Sequence, residues 1–196
     1  MSFLFRFTGF LPGLFSLILI TSVSAQEVFI CVWRNPERTM TKIFPQAKDY
    51  RTVDIKISKE KLDIIEERLG SKLLPGQREQ YQYYEMIGAK GNLLGHTIAA
   101  AQRGEFGVIE FIFGLDINRK INGIYIQRAR ERDKEFKKRE FLEQFMGKSL
   151  IDKIQLGEDI KARNTVGTAA VILGVRKELI TFDELVRSKK KIEEIE

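Results

Sequence analysis

The sequence has almost none of the side chains from which metal sites and acid–base catalytic sites are built. It contains one histidine and one cysteine among 196 residues. A single cysteine cannot form an internal disulfide. One histidine and one cysteine also give no paired spacing of the kind that metal ligands show. A serine hydrolase would need His96 as its base, yet no G-x-S-x-G turn is present. We therefore expect no catalytic or metal-binding residue, a structural role for His96, and Cys31 to be a small buried hydrophobe.

The charge balance is only mildly basic, with 33 Lys and Arg against 27 Asp and Glu. No nucleic-acid-binding signature accompanies the excess, so we expect no nucleic-acid partner. The basic runs at 128–138 and 187–191 are interleaved with or flanked by acids, which favours a solvated surface; attraction to anionic lipid headgroups is the alternative. The acid pairs Glu66–Glu67 and Glu140–Glu143 are predicted to lie on exposed helix faces.

The first 25 residues have the three-part organisation of a secretory signal. Arg6 precedes an apolar stretch at 7–20, and small residues follow up to Ala25. The stretch contains Pro12 and is shorter than the roughly 20 apolar residues that a spanning helix prefers. We expect export to the periplasm or another extracytoplasmic space with cleavage after Ala25. An uncleaved N-terminal membrane anchor is the alternative.

Residues 26–188 are predicted to form a single domain, followed by a charged tail at 189–196. About 170 residues suffice for one hydrophobic core. Helices are predicted up to about Ile43, from Ser58 to Gly70, over 134–145 and from near Gly167. A first strand is predicted at 52–57. Alternating residues predict four further strands, separated by short turns, at 81–87, 94–101, 108–115 and 121–127. This order predicts an α+β fold, an antiparallel sheet of about four to five strands flanked by helices.

A loop rich in small and hydroxyl residues, 159–168, runs directly into the last predicted helix. The start of a helix presents unpaired backbone N–H groups and a partial positive charge, which suit a phosphate group. Thr165, Thr168 and Arg163 could add hydrogen bonds and a full charge. On spacing alone the alternative interpretation stays open, that Thr165 or Asn164 only caps the helix.

Several blocks of the sequence resemble one known family. The C-terminal blocks are 141–150 (FLEQFMGKSL), 156–160 (LGEDI) and 174–179 (GVRKEL), and the upstream blocks are 104–107 (GEFG) and 44–47 (FPQA). They are similar to the FMN-binding domain family, whose members include the flavin-carrying domains of the Rnf complex and of the sodium-translocating NADH:quinone reductase. The similarity extends over nearly all of the chain after residue 25.

The resemblance implies a flavin site at the loop before the last helix. Family members carry an acceptor sequence in which a threonine or serine is esterified to the FMN phosphate by a flavin transferase. Asp159 occupies the aspartate position of that sequence and Thr165 the acceptor position. The residues that the resemblance places at the cofactor are Asp159, Arg163, Asn164, Thr165, Val166, Gly167 and Thr168.

Two segments depart from the family pattern, the acceptor sequence at Ala162, Arg163, Asn164 and Gly167, and an earlier turn at 130–134. Arg163 stands where glycine is usual, and glycine permits backbone conformations and close approaches that an arginine does not. In the earlier turn, Glu131 corresponds to the family's glutamate, but the glycine that usually follows in that turn is missing. Covalent and noncovalent attachment of FMN both stay open.

The resemblance implies an extracytoplasmic electron-transfer protein, a redox carrier or oxidoreductase subunit rather than a stand-alone enzyme. The flavin would perform the redox chemistry, and the protein would position it. The implied partners are membrane-associated or periplasmic redox proteins and a flavin transferase. The first alternative is a flavin-free interaction subunit of a membrane-associated redox complex. The second is a binder of small ligands or lipid headgroups that uses the basic strip 128–138.

Overall fold

The computed structural model describes residues 37–193. The predicted signal at 1–25, Cys31 and the last three residues of the predicted tail lie outside the described residues. The described part is a five-stranded antiparallel sheet with helices packed against it. The predicted α+β class is therefore confirmed.

The sheet is a simple meander in which each strand pairs with the next one along the chain. The strand order is β1-β2-β3-β4-β5, and every pair is antiparallel. The five strands are β1 Ala47–Lys56, β2 Gln80–Gly88, β3 Leu93–Arg103, β4 Val108–Asp116 and β5 Ile121–Arg128.

The edge strand β1 begins five residues before the predicted start at residue 52. Its first half carries Lys48, Asp49 and Arg51, so it lacks the apolar alternation from which the strand was predicted. Pairing with β2 nevertheless extends to Ala47, and Arg51 forms an ion pair with Glu85 on β2. Charged side chains are typical of an edge strand, since they discourage pairing with a further chain.

Three of the predicted helices are present, the first with its predicted end, the second with both predicted ends and the last with its predicted start. α1 spans Glu37–Ile43, and α2 spans Lys59–Leu69. The Ser58 hydroxyl accepts the N–H of Lys61 at the start of α2, and Gly70 ends the helix in the left-handed conformation, with φ of 72°. α4 spans Val166–Glu193 and thus continues into the predicted tail. Within residues 37–193, no helix combines the length and hydrophobicity that crossing a bilayer requires.

Hydrophobic residues cover both faces of the sheet. On β4, Phe111 and Phe113 point into a large core that includes α4, whereas Ile112 points into a smaller core beneath α1. This alternation follows from the two-residue period of a strand. α4 packs against β3, β4 and α2, and α1 packs against β4 and β5. The sheet is therefore the middle layer of the domain.

The continuous helix predicted over 134–145 was wrong. The segment consists of a 3₁₀ turn at Glu135–Lys137, a single helical turn α3 at Arg139–Leu142, and a 3₁₀ turn at Glu143–Phe145. Lys138 is extended, with ψ of 142°. Phe136 and Phe141 are both buried, yet five residues along a helix would place them about 140° apart around its axis. The interruption lets both rings enter the core.

The predicted exposure of Glu66 was also wrong, since this side chain is only 4% exposed. Its carboxylate accepts hydrogen bonds from the Lys72 ammonium at 2.7 Å, the Leu73 N–H at 3.0 Å and the Arg78 guanidinium at 3.2 Å. These bonds fasten the chain after α2 to the helix. The hydrogen bond from Lys72 is the largest cause that lowers the pKa of Glu66, and it outweighs the opposing effect of burial.

Replacing Glu66 with glutamine should lower the free energy of unfolding at neutral pH by on the order of 2 kcal/mol. The replacement should also weaken the dependence of the free energy of unfolding on pH at acid pH. Because the folded chain lowers the pKa of Glu66, the carboxylate stabilises fully above its unfolded value of about 4.3 and loses this effect as the pH falls through the folded value. Urea denaturation across acid pH measures both changes. Exposed Glu67→Gln is the matched control, and identical pH curves for the two variants would contradict the assignment.

Gly174→Ala should destabilise the domain by about 1–3 kcal/mol through overpacking. An added Cβ would lie 2.7 Å from Cζ of Phe111, a ring that is completely buried and has no room to move. Thermal or urea unfolding measures the loss. If the clash is the cause, Phe111→Leu combined with Gly174→Ala will cost less than the sum of the two single changes, whereas additive costs would exclude it.

Candidate functional site

The loop predicted to hold a phosphate ends in a reciprocal cap at the start of α4. The Thr165 oxygen accepts the N–H of Thr168 at 3.2 Å, and the Thr168 oxygen accepts the N–H of Thr165 at 2.9 Å. The Thr168 hydroxyl donates to the Arg163 carbonyl at 2.7 Å. This arrangement is equivalent to a capping box, in which two side chains satisfy N–H groups that a helix start leaves unpaired. Thr165 therefore has a capping role, and it is also half-buried.

Two backbone N–H groups stay open at this helix start. Among the described residues, no acceptor lies within hydrogen-bond distance of the N–H groups of Val166 and Gly167. Gly167 packs so closely on Phe136 that an added Cβ would overlap its ring. Open N–H groups and the helix dipole together make a site where an anion is stabilised.

Arg163 lies beside the cap and contacts two carboxylates. Its side chain is 71% exposed, and Nη2 lies 3.2 Å from Oδ1 of Asp133 and 3.4 Å from Oε2 of Glu135. The hydrogen bond with the Thr165 hydroxyl is the largest cause that holds the pKa of Asp133 below its usual value. For Glu135 the largest cause of a lowered pKa is the hydrogen bond from Lys138.

Asp159 takes part in a different arrangement, inside its own loop. Its carboxylate accepts the N–H groups of Ile154 at 3.0 Å and Gln155 at 2.7 Å, and it lies 3.1 Å from the Lys148 ammonium. Burial raises the pKa of Asp159, but these hydrogen bonds outweigh burial and the net shift is downward. The bonds hold Ile154 at φ of 45°, a conformation that is rare for a β-branched residue.

The structure therefore brings together five of the seven predicted site residues. Those around the helix start are Arg163, Thr165, Val166, Gly167 and Thr168. Asn164 is exposed between them, and Asp159 holds the 154–159 loop. Sequence reasoning missed Asp133 and Glu135. Their only signal was a position inside the basic run at 128–138, where acids were interpreted as solvated surface.

A solvent-facing stripe continues from this site along α4. Nearly all of the helix between 170 and 186 is buried, but Val166 is 50% exposed, Ala169 is exposed, and Leu173 and Arg176 are half-buried. Spacings of three and four residues place these four on one face, over a length of about 15 Å. The stripe ends at a cleft of about 350 Å³ between Arg176 and the 149–158 segment.

His96 lies on β3, where its ring contacts aromatic neighbours. The ring centroids of Tyr83 and Phe182 are 5.6 Å and 5.0 Å from that of His96, both in edge-on geometry. Such contacts fit the structural role expected from the sequence. In the part of the chain that the structure describes, no group of three or more histidine, cysteine, aspartate or glutamate side chains could hold a metal ion.

Solved structures of similar fold exist, whereas the sequence comparisons find no match, neither with a protein-family model nor with a curated protein. The fold is similar to the crystal structure of Shewanella oneidensis NqrC, with a TM-score of 0.44 and 14% sequence identity. The similarity covers 75% of this chain and 81% of that one.

Proposed function

We propose that the chain is an exported FMN-binding protein that transfers electrons between redox partners on the outer side of the cytoplasmic membrane. The observation that carries the proposal is the start of α4, where two open backbone N–H groups beside Arg163 adjoin an exposed apolar stripe on the same helix. FMN has the same two parts, a phosphate and a large, mostly apolar ring system. The sequence resemblance to the FMN-binding domain family supports the same location for the flavin phosphate.

The phosphate end of this site is supported by donors on both backbone and side chains. The N–H groups of Val166 and Gly167 are open, and the half-buried Thr165 hydroxyl lies beside them, whereas the Thr168 hydroxyl is fully buried and donates to the Arg163 carbonyl. Arg163 adds a full positive charge. A charge-assisted bond from a guanidinium to a phosphate is about twice as strong as a neutral hydrogen bond.

The acids beside Arg163 set a limit on this fit. Asp133 and Glu135 already contact Nη2 of Arg163, so a phosphate would approach a guanidinium that is partly neutralised. A guanidinium has five N–H donors, and the two carboxylates share one nitrogen. The remaining donors are sufficient for a phosphate oxygen, which makes the residues present compatible with FMN.

The apolar stripe supports the ring end of the site. Val166, Ala169 and Leu173 offer a hydrophobic surface that no other described element covers. Burying apolar area of this kind contributes roughly 25 cal/mol per Å². When bound, FMN would supply the redox chemistry, and the chain would contribute position, exclusion of water and the electrostatic surroundings.

A flavin-free interaction subunit is the second candidate, because the chain's own groups satisfy most of the cap. Thr165 and Thr168 bond to each other, and Arg163 is engaged by two carboxylates. In that case the exposed stripe Val166, Ala169 and Leu173 would be a contact surface for a protein partner. The two candidates differ in one observable property, which is whether the purified chain carries flavin.

Covalent attachment is tested by co-expression with a flavin transferase, followed by intact-mass and visible absorption measurements. If Thr165 is the acceptor, the mass will increase by one FMN, Thr165→Ser will keep this increase, and Thr165→Val will lose it. Thr168→Val is the matched control, since it removes a cap hydroxyl and leaves the acceptor. The same mass tells whether residues 1–25 have been removed. A yellow protein of unmodified mass would indicate noncovalent binding. A chain that stays colourless with added FMN would contradict the flavin proposal.

Noncovalent affinity tests the phosphate contact separately. Arg163→Gln should weaken FMN binding by at least about tenfold, because a charge-assisted hydrogen bond is lost. Fluorescence titration with FMN and with riboflavin, which lacks the phosphate, measures the effect. Riboflavin binding should not change, and exposed Lys161→Gln is the matched control. Equal losses for both ligands would place the phosphate elsewhere.

A further inference from the structure

The turn between β3 and β4 carries an exposed aromatic ring surrounded by arginines. We use the name hairpin-tip surface for Arg103, Phe106, Arg130 and Arg132. Phe106 is 39% exposed, and Cζ of Arg132 lies 4.8 Å from the centre of its ring. The three arginines are exposed as well. The surface therefore combines an apolar ring with three cations at one end of the sheet.

A buried carboxylate fixes the conformation of this turn. Glu131 is 2% exposed, and its Oε1 accepts the N–H of Phe106 at 3.0 Å. The N–H of Gly104 donates to the Gly107 carbonyl at 2.7 Å, and an added Cβ at Gly104 would overlap the Glu131 carboxylate. A buried carboxylate without hydrogen bonds is unfavourable, so the turn and Glu131 stabilise each other. The exposed position of Phe106 is thus built into the fold.

The three arginines of the surface form no ion pair with a carboxylate of residues 37–193. Among the described residues, no carboxylate lies within ion-pair distance of Arg103, Arg130 or Arg132, whereas neighbouring Arg128 pairs with Glu110. Glu105 is the one exposed acid within the turn at 104–107. The three cations are therefore available to an anionic partner outside the chain.

We propose that the hairpin-tip surface docks the domain onto a membrane that contains anionic phospholipid. Cations near an anionic bilayer are attracted without a matching set of acceptors, and an apolar ring among them can enter the boundary between headgroups and acyl chains. An acidic protein would instead require carboxylates arranged to match these arginines. If 7–20 stays in place as the uncleaved anchor, it would also hold the domain within about 50 Å of a bilayer, which is the longest span of the 16 residues from 21 to 36.

Vesicle flotation with the full chain tests this proposal, using phosphatidylcholine alone and an equal mixture of phosphatidylcholine and phosphatidylglycerol. The measured quantity is the excess binding, which is the binding to the anionic vesicles minus the binding to the phosphatidylcholine vesicles. Any binding through 7–20 contributes to both values and is removed by the subtraction. We expect an excess that decreases as ionic strength rises. The triple change Arg103→Gln, Arg130→Gln and Arg132→Gln should reduce it at least about tenfold. Phe106→Ser, which keeps every charge, should reduce it less.

The control removes three exposed lysines at the opposite end of the sheet, Lys48→Gln, Lys90→Gln and Lys120→Gln. It changes the net charge by the same amount and should preserve the excess. If the control variant loses as much of the excess binding, net charge alone explains the effect. If the triple arginine variant keeps the excess binding, the proposed docking surface is wrong. Should the triple variant keep vesicle binding but lose binding to polyglutamate, the partner is an acidic protein instead. None of these outcomes depends on flavin.

Discussion

The contact between α4 and the sheet is the interaction on which the rest of the domain depends. The helix is buried along most of its length, and at Gly174 it approaches β4 so closely that only a hydrogen atom fits against Phe111. Its middle is tied to β3 by Lys177, whose ammonium donates to the Ala101 carbonyl at 2.8 Å and to Oε1 of Gln77 at 3.0 Å. Glu178 lies beside Lys177, and burial raises the pKa of Glu178. Buried polar bonds of this kind fix the position of the helix along the strands, because sliding would leave them unsatisfied.

The far part of α4 is held by charges as well as by the packing of Phe182, Leu185 and Val186 in the core. Asp183 pairs with Arg68 of α2 at 3.0 Å and with Arg119 of the β4–β5 turn at 3.2 Å, and Glu184 pairs with Lys61 and Arg68. Three separate elements thus meet at two adjacent acids. The first turn of α4, by contrast, is held by its own threonines and by Phe136. The candidate site lies at the end of the helix that depends least on the rest of the fold.

The sequence permitted prediction of those elements whose signals are local. Ser58 and Gly70 marked both ends of α2, and short turns, two of them containing glycine, separated four strands with clear alternation. The features that were missed depend on distant partners. Glu66 is buried because Lys72 and Arg78 return to it, and the helix expected over 134–145 is broken because two rings must enter one core. At the candidate site, the cap was foreseen as an alternative from Thr165, but the acids facing Arg163 were not, because no local pattern relates residues about 30 positions apart.

The segment that joins the β3–β4 turn to the start of α4 is fastened at three closely spaced points. Glu131 bonds to the turn, Asp133 contacts Arg163, and Phe136 packs on Gly167. Three contacts within six residues restrict changes of backbone conformation along this segment. These contacts couple the turn to the helix start. A membrane bound at the turn would therefore set the distance and the orientation at which the helix start, with any ligand it holds, lies above the lipid surface.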